Sequence, residues 1–335
     1  MPALSFPEFR PTRRRALALG AGLLAAPAIA RGAAPAAVRV TLPGAGSAGA
    51  IWRPLIASLP AETLAGVDIQ WVGANPGQMQ VQLLTGTLDV SVYGALGLVE
   101  IAARGADIVV FGPGLNNHGR WLVRADSPYQ KPEDLIGKRI ASTAETSETF
   151  KAARIASAVG GLDIRREMSI VFGPPAANQA LFERGDVEGI LTLEPTATRL
   201  IGQGAREIGR VADIWRQGTG ETELPFLVGL AAQRSWVDQN RELATKLARI
   251  FAAANRLTRS EPQRVAELHA AYGIRENERA AIDLLPSRLA DVYGTVWNEA
   301  VFASIDRQIE VAHRLGLVPA PPSRKLYVET PLTAA

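Results

Sequence analysis

Residues 83–94 read LLTGTLDVSVYG, and residues 181–195 read LFERGDVEGILTLEP. Laying Gly86 on Gly185 pairs Leu88 with Val187, Asp89 with Glu188 and Tyr93 with Thr192. Each copy follows a stretch with apolar residues at helical spacing (78–85 and 177–184), which a glycine in the left-handed conformation can close. After each acid comes a short β-rich run of the kind that forms a strand covered on both faces. In an open α/β sheet, ligands gather at the carboxyl ends of the strands. Two copies therefore predict two similar α/β lobes, each presenting a strand end to a shared cleft.

The 335 residues are enough for two lobes with real cores, and a composition of 47% hydrophobic and 21% charged residues is globular. The net charge is +3, with no basic stripe carrying interleaved aromatics, which argues against nucleic acid as a partner. Cysteine is absent, excluding disulfides, thiolate metal sites and a lipid-anchoring cysteine. His118, His269 and His313 are too far apart in sequence for a histidine metal motif. Residues 1–30 read as an export signal. Arg13, Arg14 and Arg15 open a twin-arginine-type pattern, an apolar run follows, and Ala28-Ile29-Ala30 fits the small-x-small cleavage rule.

The first strand, 37–43, leads into GAGSAG (44–49), a G-x-G-x-x-G placed between a strand and a helix. A dinucleotide fold also wants an acid at the end of its second strand. That strand (67–72) has its one acid, Asp68, at the start and ends in Gly73-Ala74-Asn75-Pro76. The glycines then read as a ligand-facing turn with Ser47 as a donor. Strand 107–111 runs into a polar turn at 112–119, where Asn116, Asn117 and His118 stand at another strand end. The strand-like run 120–124 is expected to leave the first lobe.

Next come Ser127-Pro128 and 131–141, KPEDLIGKRIA. S-P followed by P-x-D-L-x-G-K-x-I-A resembles the periplasmic solute-binding proteins of ABC importers, in the branch that takes up nitrate, aliphatic sulfonates, taurine and thiamine-pyrimidine precursors. The likeness extends through Gly86-x-Leu88-Asp89, Gly185-Asp186-Val187-Glu188, Leu193-Glu194-Pro195 and Trp236-Val237-Asp238-Gln239-Asn240. It implies a two-lobed α/β periplasmic binding protein fold (type II) with two hinge crossings, no catalysis, no cofactor, and an inner-membrane permease as partner. The expected organisation is a first lobe of 37–122 with 226–316, a second of 125–222, and an extended tail at 317–335. The crossings fall near 122–124 and 224–226.

In the sulfonate binders of that family, the helix start matching 143–147 tends to hold the anion with backbone N–H groups, as helix N-termini do. Here Glu145 and Glu148 flank that turn, and Thr146 or Ser147 caps the helix. Glu194 can project from a strand end beside Pro195, which suits the first position of the next helix. The candidate ligand-binding set is Ser47, Asn75, Tyr93, Asn116, His118, Thr143, Glu145, Thr146, Glu194 and Phe226. Carboxylates, amides and an aromatic ring in that set favour a neutral or cationic solute over an anion. No nucleophile elbow, P-loop or zinc motif is present, so the reading is a monomeric, exported binding protein. The alternative is an exported oxidoreductase using the Gly-rich turn for a dinucleotide. The enzyme branch of thiamine-pyrimidine synthesis uses a cysteine-rich motif that this chain lacks.

Overall fold

A computed structural model of the chain describes residues 35–74, 78–329 and 332. The expected signal segment and Asn75 lie outside the described residues. The compact unit Ala36–Ala335 holds every element described below.

The strands are β1 (Ala36–Pro43), β2 (Val67–Ala74), β3 (Ser91–Tyr93), β4 (Ile108–Asn116), β5 (Gly119–Val123), β6 (Arg139–Ser142), β7 (Ser169–Phe172), β8 (Gly189–Leu193), β9 (Arg206–Arg210) and β10 (Phe226–Gln233). Helices α1 (Trp52–Ala57), α2 (Gln78–Leu84) and α3 (Ala95–Ala102) connect the early strands. Helices α4 (Glu148–Val159), α5 (Pro175–Glu183), α6 (Thr196–Gly202) and α7 (Val211–Thr219) connect the later ones. After β10 come α8 (Arg241–Ser260), α9 (Arg279–Leu289) and α10 (Glu299–Arg314).

β1 and β2 pair in parallel, and β10 lies antiparallel between β3 and β4. A parallel bridge from Val40 to Val90 sets β1 beside β3, so the first lobe runs β2-β1-β3-β10-β4. The second lobe runs β7-β6-β8-β5-β9, with β6 parallel to both neighbours and β5 antiparallel to β8 and β9. The two orders are the same. In each, the fourth strand enters from the other part of the chain and runs against its neighbours.

The duplicated stretch explains the shared third strand. Gly86 (φ +74°) and Gly185 (φ +78°) turn the chain after α2 and α5, in the region that favours glycine. Leu88 and Val187 bury themselves directly after it. The acids then dock on β1 and β6: the Asp89 amide donates to the Arg39 carbonyl at 3.0 Å, and the Glu188 amide to the Arg139 carbonyl at 2.8 Å.

Four elements differ from the expectations. The polar-looking run 112–116 is strand, because β4 continues along β10 through its glycines. A Cβ on Gly112 would stand 2.7 Å from Ala248 of α8, and one on Gly114 2.5 Å from the Val228 carbonyl. The glycines are there for packing. Residues 119–123 pair along their whole length in the second sheet. Residues 211–219, where the sequence suggests a strand ending at Val211 and a polar loop from Gln217, form α7, whose Val211, Ala212 and Trp215 are buried and whose end is closed by Gly220 at φ +78°. The tail is not loose over the surface: the Val110 and Val328 amides exchange hydrogen bonds with the Leu326 and Val110 carbonyls. Tyr327 stacks on Phe302 with ring centroids 4.8 Å apart.

Candidate functional site

The carboxyl ends of β1, β3, β6 and β8 point to the turns where the two lobes meet. After β1, the glycines of GAGSAG do local work. Gly46 takes φ +85°, and a Cβ on Gly49 would stand 2.8 Å from the Trp52 ring. Ser47 caps the helical turn that follows, accepting from the Gly49 amide at 3.3 Å. After β6, Ser147 caps α4 by accepting from the Phe150 amide at 3.2 Å, and Thr143 Oγ1 lies 2.8 Å from Ser147 Oγ. The lobes touch here: Ser47 and Pro195 form an antiparallel bridge, and Thr196 Oγ1 donates to the Gly46 carbonyl at 3.3 Å.

At the end of β8, Glu194 is fully buried. Its Oε2 accepts from the Thr198 amide at 3.0 Å and the Thr198 hydroxyl at 2.5 Å. Its Oε1 lies 3.2 Å from Arg120 Nε and 2.6 Å from Arg288 Nη2. Arg288 also reaches Glu207 at 2.5 Å, and Arg120 lies 3.4 Å from it. Arg288 comes from α9, so this cluster ties the lobes together. Burial lowers the Arg120 guanidinium, with Glu194 and Glu207 pulling the other way. Burial would raise the Glu207 carboxyl, but Arg210 and Arg288 outweigh it and hold it below the usual carboxylate range. Arg120 Nε is near both acids yet aligned with neither for a hydrogen bond.

A second contact crosses between α4 and α3. Glu148, the first residue of α4, places Oε1 2.7 Å from the Gly97 amide at the start of α3, and the Leu96 amide bonds to it as well. The carboxylate fits because Gly94 and Gly97 lack side chains: a Cβ on either would come within 2.2 or 2.1 Å of its oxygens. Burial pushes the Glu148 carboxyl up to about 7, against the pull of Lys151 and the amides. Lys151 itself is bonded to Glu100 at 2.7 Å.

The remaining candidates scatter. Tyr93 is buried with its ring against Gly97, and burial, with Glu148 and Glu100 nearby, raises its hydroxyl well above its ordinary range. Asn116 is spent on the Asp291 carbonyl at 2.9 Å. His118 is buried with Nδ1 2.7 Å from the Asn116 carbonyl and Nε2 without a partner; burial pushes its pKa down to about 4. Glu145 is exposed and paired with Arg165 at 2.7 Å, and Thr146 is exposed on the same turn. Phe226 is buried, with its ring 6.2 Å from that of Trp297. Ser47 and Glu194 therefore stand where the lobes touch and Thr143 on the turn before α4, while Glu194, Glu145, Asn116 and Phe226 all have protein partners. Sequence reasoning passed over Arg288, Glu207 and Thr198. Only Thr198 left a signal, standing four residues after Glu194.

Two like-ordered sheets exchanging their fourth strands is the geometry on which the comparisons bear. Residues 95–271, just over half of the chain, match the NMT1-like family. The chain belongs to the NMT1-like family. Its fold is similar to that of the periplasmic aliphatic sulphonate binding protein SsuA from Escherichia coli, with a TM-score of 0.69 and 21% identity over 90% of this chain and 95% of that one. The alkanesulfonate-binding protein SsuA from Xanthomonas axonopodis pv. citri gives 0.68 and 19% over 86% and 96%. The desulfurization enzyme DSZB has a similar fold at 0.56 and 16%, over 86% and 94%. These likenesses give this NMT1-like chain the two-lobed type II periplasmic binding protein fold. An ATP phosphoribosyltransferase of Nitratidesulfovibrio vulgaris strain Hildenborough is 32% identical over 133 residues, 38% of this chain. The chain spans about two fifths of the length of the curated relatives it matches. The family and the binding-protein neighbours do not favour the dinucleotide oxidoreductase, and the Gly-rich turn is accounted for by packing.

Proposed function

We propose that the chain is the extracytoplasmic solute-binding component of an ABC transporter, closing two lobes on a small organic solute and delivering it to a membrane permease. It acts as a monomer, by binding rather than by chemistry, and without nucleic acid. The observation that carries this reading is the pair of like-ordered sheets whose end turns meet, Ser47 against Pro195 and Glu148 against Gly97, in a family and fold shared with solute binders. Lobe closure around a hinge gives selection without a reaction. Export places the chain in the periplasm; among the described residues no helix is long and apolar enough to cross a membrane.

The solute is neutral or cationic. This rests on Glu145, exposed on the turn before α4 in a surface pair with Arg165, whereas Glu194 is buried between two arginines. A sulfonate about 4 Å from an ionised carboxylate costs on the order of 4 kcal/mol at an effective dielectric of 20. A thermal-shift screen of amines, neutral heteroaromatics and alkyl sulfonates tests both parts. A true solute at a hundred times its Kd adds about 2.7 kcal/mol of stability, and sulfonates leave the protein unchanged. Saturable stabilisation by an alkyl sulfonate overturns the charge assignment. No response to any small solute overturns the binding reading.

A further inference from the structure

Glu148 is the feature that the proposed solute site leaves unexplained. It belongs to the second lobe, yet its carboxylate is received by the first: the Gly97 amide donates at 2.7 Å, with Leu96 beside it. Gly94 and Gly97 leave a recess that the carboxylate fills to van der Waals contact, since a Cβ on either glycine would overlap it. Among the described residues, Glu148 takes part in no ion pair. The nearest cation, Lys151 on its own helix, is held by Glu100 of α3 at 2.7 Å. Glu100 is a like charge, Tyr93 of β3 is neutral, and β10 brings the Leu227 carbonyl to the same corner. No side chain of α7 or α10, which also pack on α4, is among the groups acting on it. Loss of water around this partly buried carboxyl favours the protonated form and outweighs Lys151 and the two amides, which favour the ionised one; the neutral acid can still accept from the amides.

We propose that Glu148 is a proton-operated latch between the lobes, pinning α4 to the start of α3 while protonated and releasing it when ionised. The latch rests on the solute-binding reading only in that both need lobes that open. Its sign follows from linkage. In the closed form the carboxyl lies up at about 7, and in the open form it returns to the ordinary carboxylate range. Closing therefore takes up a proton. The latch's contribution to closure is fully present below the ordinary range and is lost as pH rises through about 7.

The chain has no cysteine, so a fluorophore pair can be placed on Ala57→Cys of α1 and Glu183→Cys of α5, one exposed site in each lobe. Energy transfer is then followed from pH 5 to pH 8 with no solute added. The closed-to-open ratio of the wild type should fall with pH, by at most about tenfold per unit. Glu148→Gln keeps the shape and an acceptor without the charge, and should hold the closed form with a flat profile. Glu148→Ala should be open throughout. A wild-type ratio that does not change with pH, or a Glu148→Gln profile that follows the wild type, overturns the latch. Because no solute is used, an empty solute screen leaves this result standing. A positive screen with a flat profile removes only the latch.

Discussion

The starts of α3 and α6 occupy equivalent places in the two lobes, and they solve one problem in two ways. Laying Gly86 on Gly185 sets Ala95 on Glu194 and Gly97 on Thr196. Any helix start leaves backbone amides without partners. In the second lobe the turn supplies its own acceptor, Glu194, which bonds the Thr198 amide and is fixed by Arg120 and by Arg288 from the other lobe. In the first lobe the turn has no acceptor, and the Gly97 amide takes a carboxylate on loan from Glu148. One start is locked by a charge network; the other is closed by a single acid without a cation. The difference places the stable contact at α6 and the switchable one at α3.

Breaking the locked side should cost most. Arg288→Ala leaves Glu194 and Glu207 buried short of a cation, and removing one member of a buried pair costs about 3–5 kcal/mol. Chemical denaturation at neutral pH should show that loss, and an unchanged midpoint would mean that the network does not hold the lobes. At the crossing between the lobes, His118 is buried with its pKa pushed down to about 4. The unfolded chain then binds the extra proton, so stability falls as pH drops from about 6.5 to about 4. His118→Gln should flatten acid unfolding in that window, by about 3 kcal/mol at most.

The loaned side should respond through space rather than charge. Gly97→Ala sets a methyl against the Glu148 carboxylate and should cost about 1–3 kcal/mol, measured as lost stability at pH 5.5. Part of that loss should vanish in Glu148→Ala, the rest being the Tyr93 ring, which would stand 2.9 Å from the same methyl; an equal cost in both backgrounds would show that the carboxylate does not fill the recess. The smallest effect belongs to the acids of the repeat. Arg39–Asp89, at 2.6 Å and partly exposed, should give a double-mutant coupling of no more than about 1 kcal/mol, weakened by salt. Arg124–Glu188, at 3.4 Å, should give less.

Much of the fold was legible because it rests on local rules. Glycines at 86 and 185, followed by an apolar residue and an acid, mark the same turn twice, and each turn needs only its own few residues. The cap of α4, expected at Thr146 or Ser147, is legible for the same reason, since a cap reaches only two or three residues ahead, whereas Ser47, expected as a donor to a ligand, caps its own turn. The helix α7 was hidden by its polar face, and β4 by the glycines that let α8 and β10 come close. Tyr327 was hidden in a Pro-rich tail whose pairing with β4 lies more than two hundred residues back in the chain.

From the sequence alone, two lobes of one kind, their third strands and the turns at their ends could be read, because hydrophobic period and left-handed glycines act within a few residues. The tertiary structure decided which strand enters each sheet fourth, and what each carboxylate is for. Glu145, Glu148 and Glu194 look alike in the chain. One is exposed beside Arg165, one is enclosed on the amides of α3, and one is held between Arg120 and Arg288. Charge on a carboxylate is governed by the water it loses and the cations within a few ångströms, and residues far apart in sequence supply both.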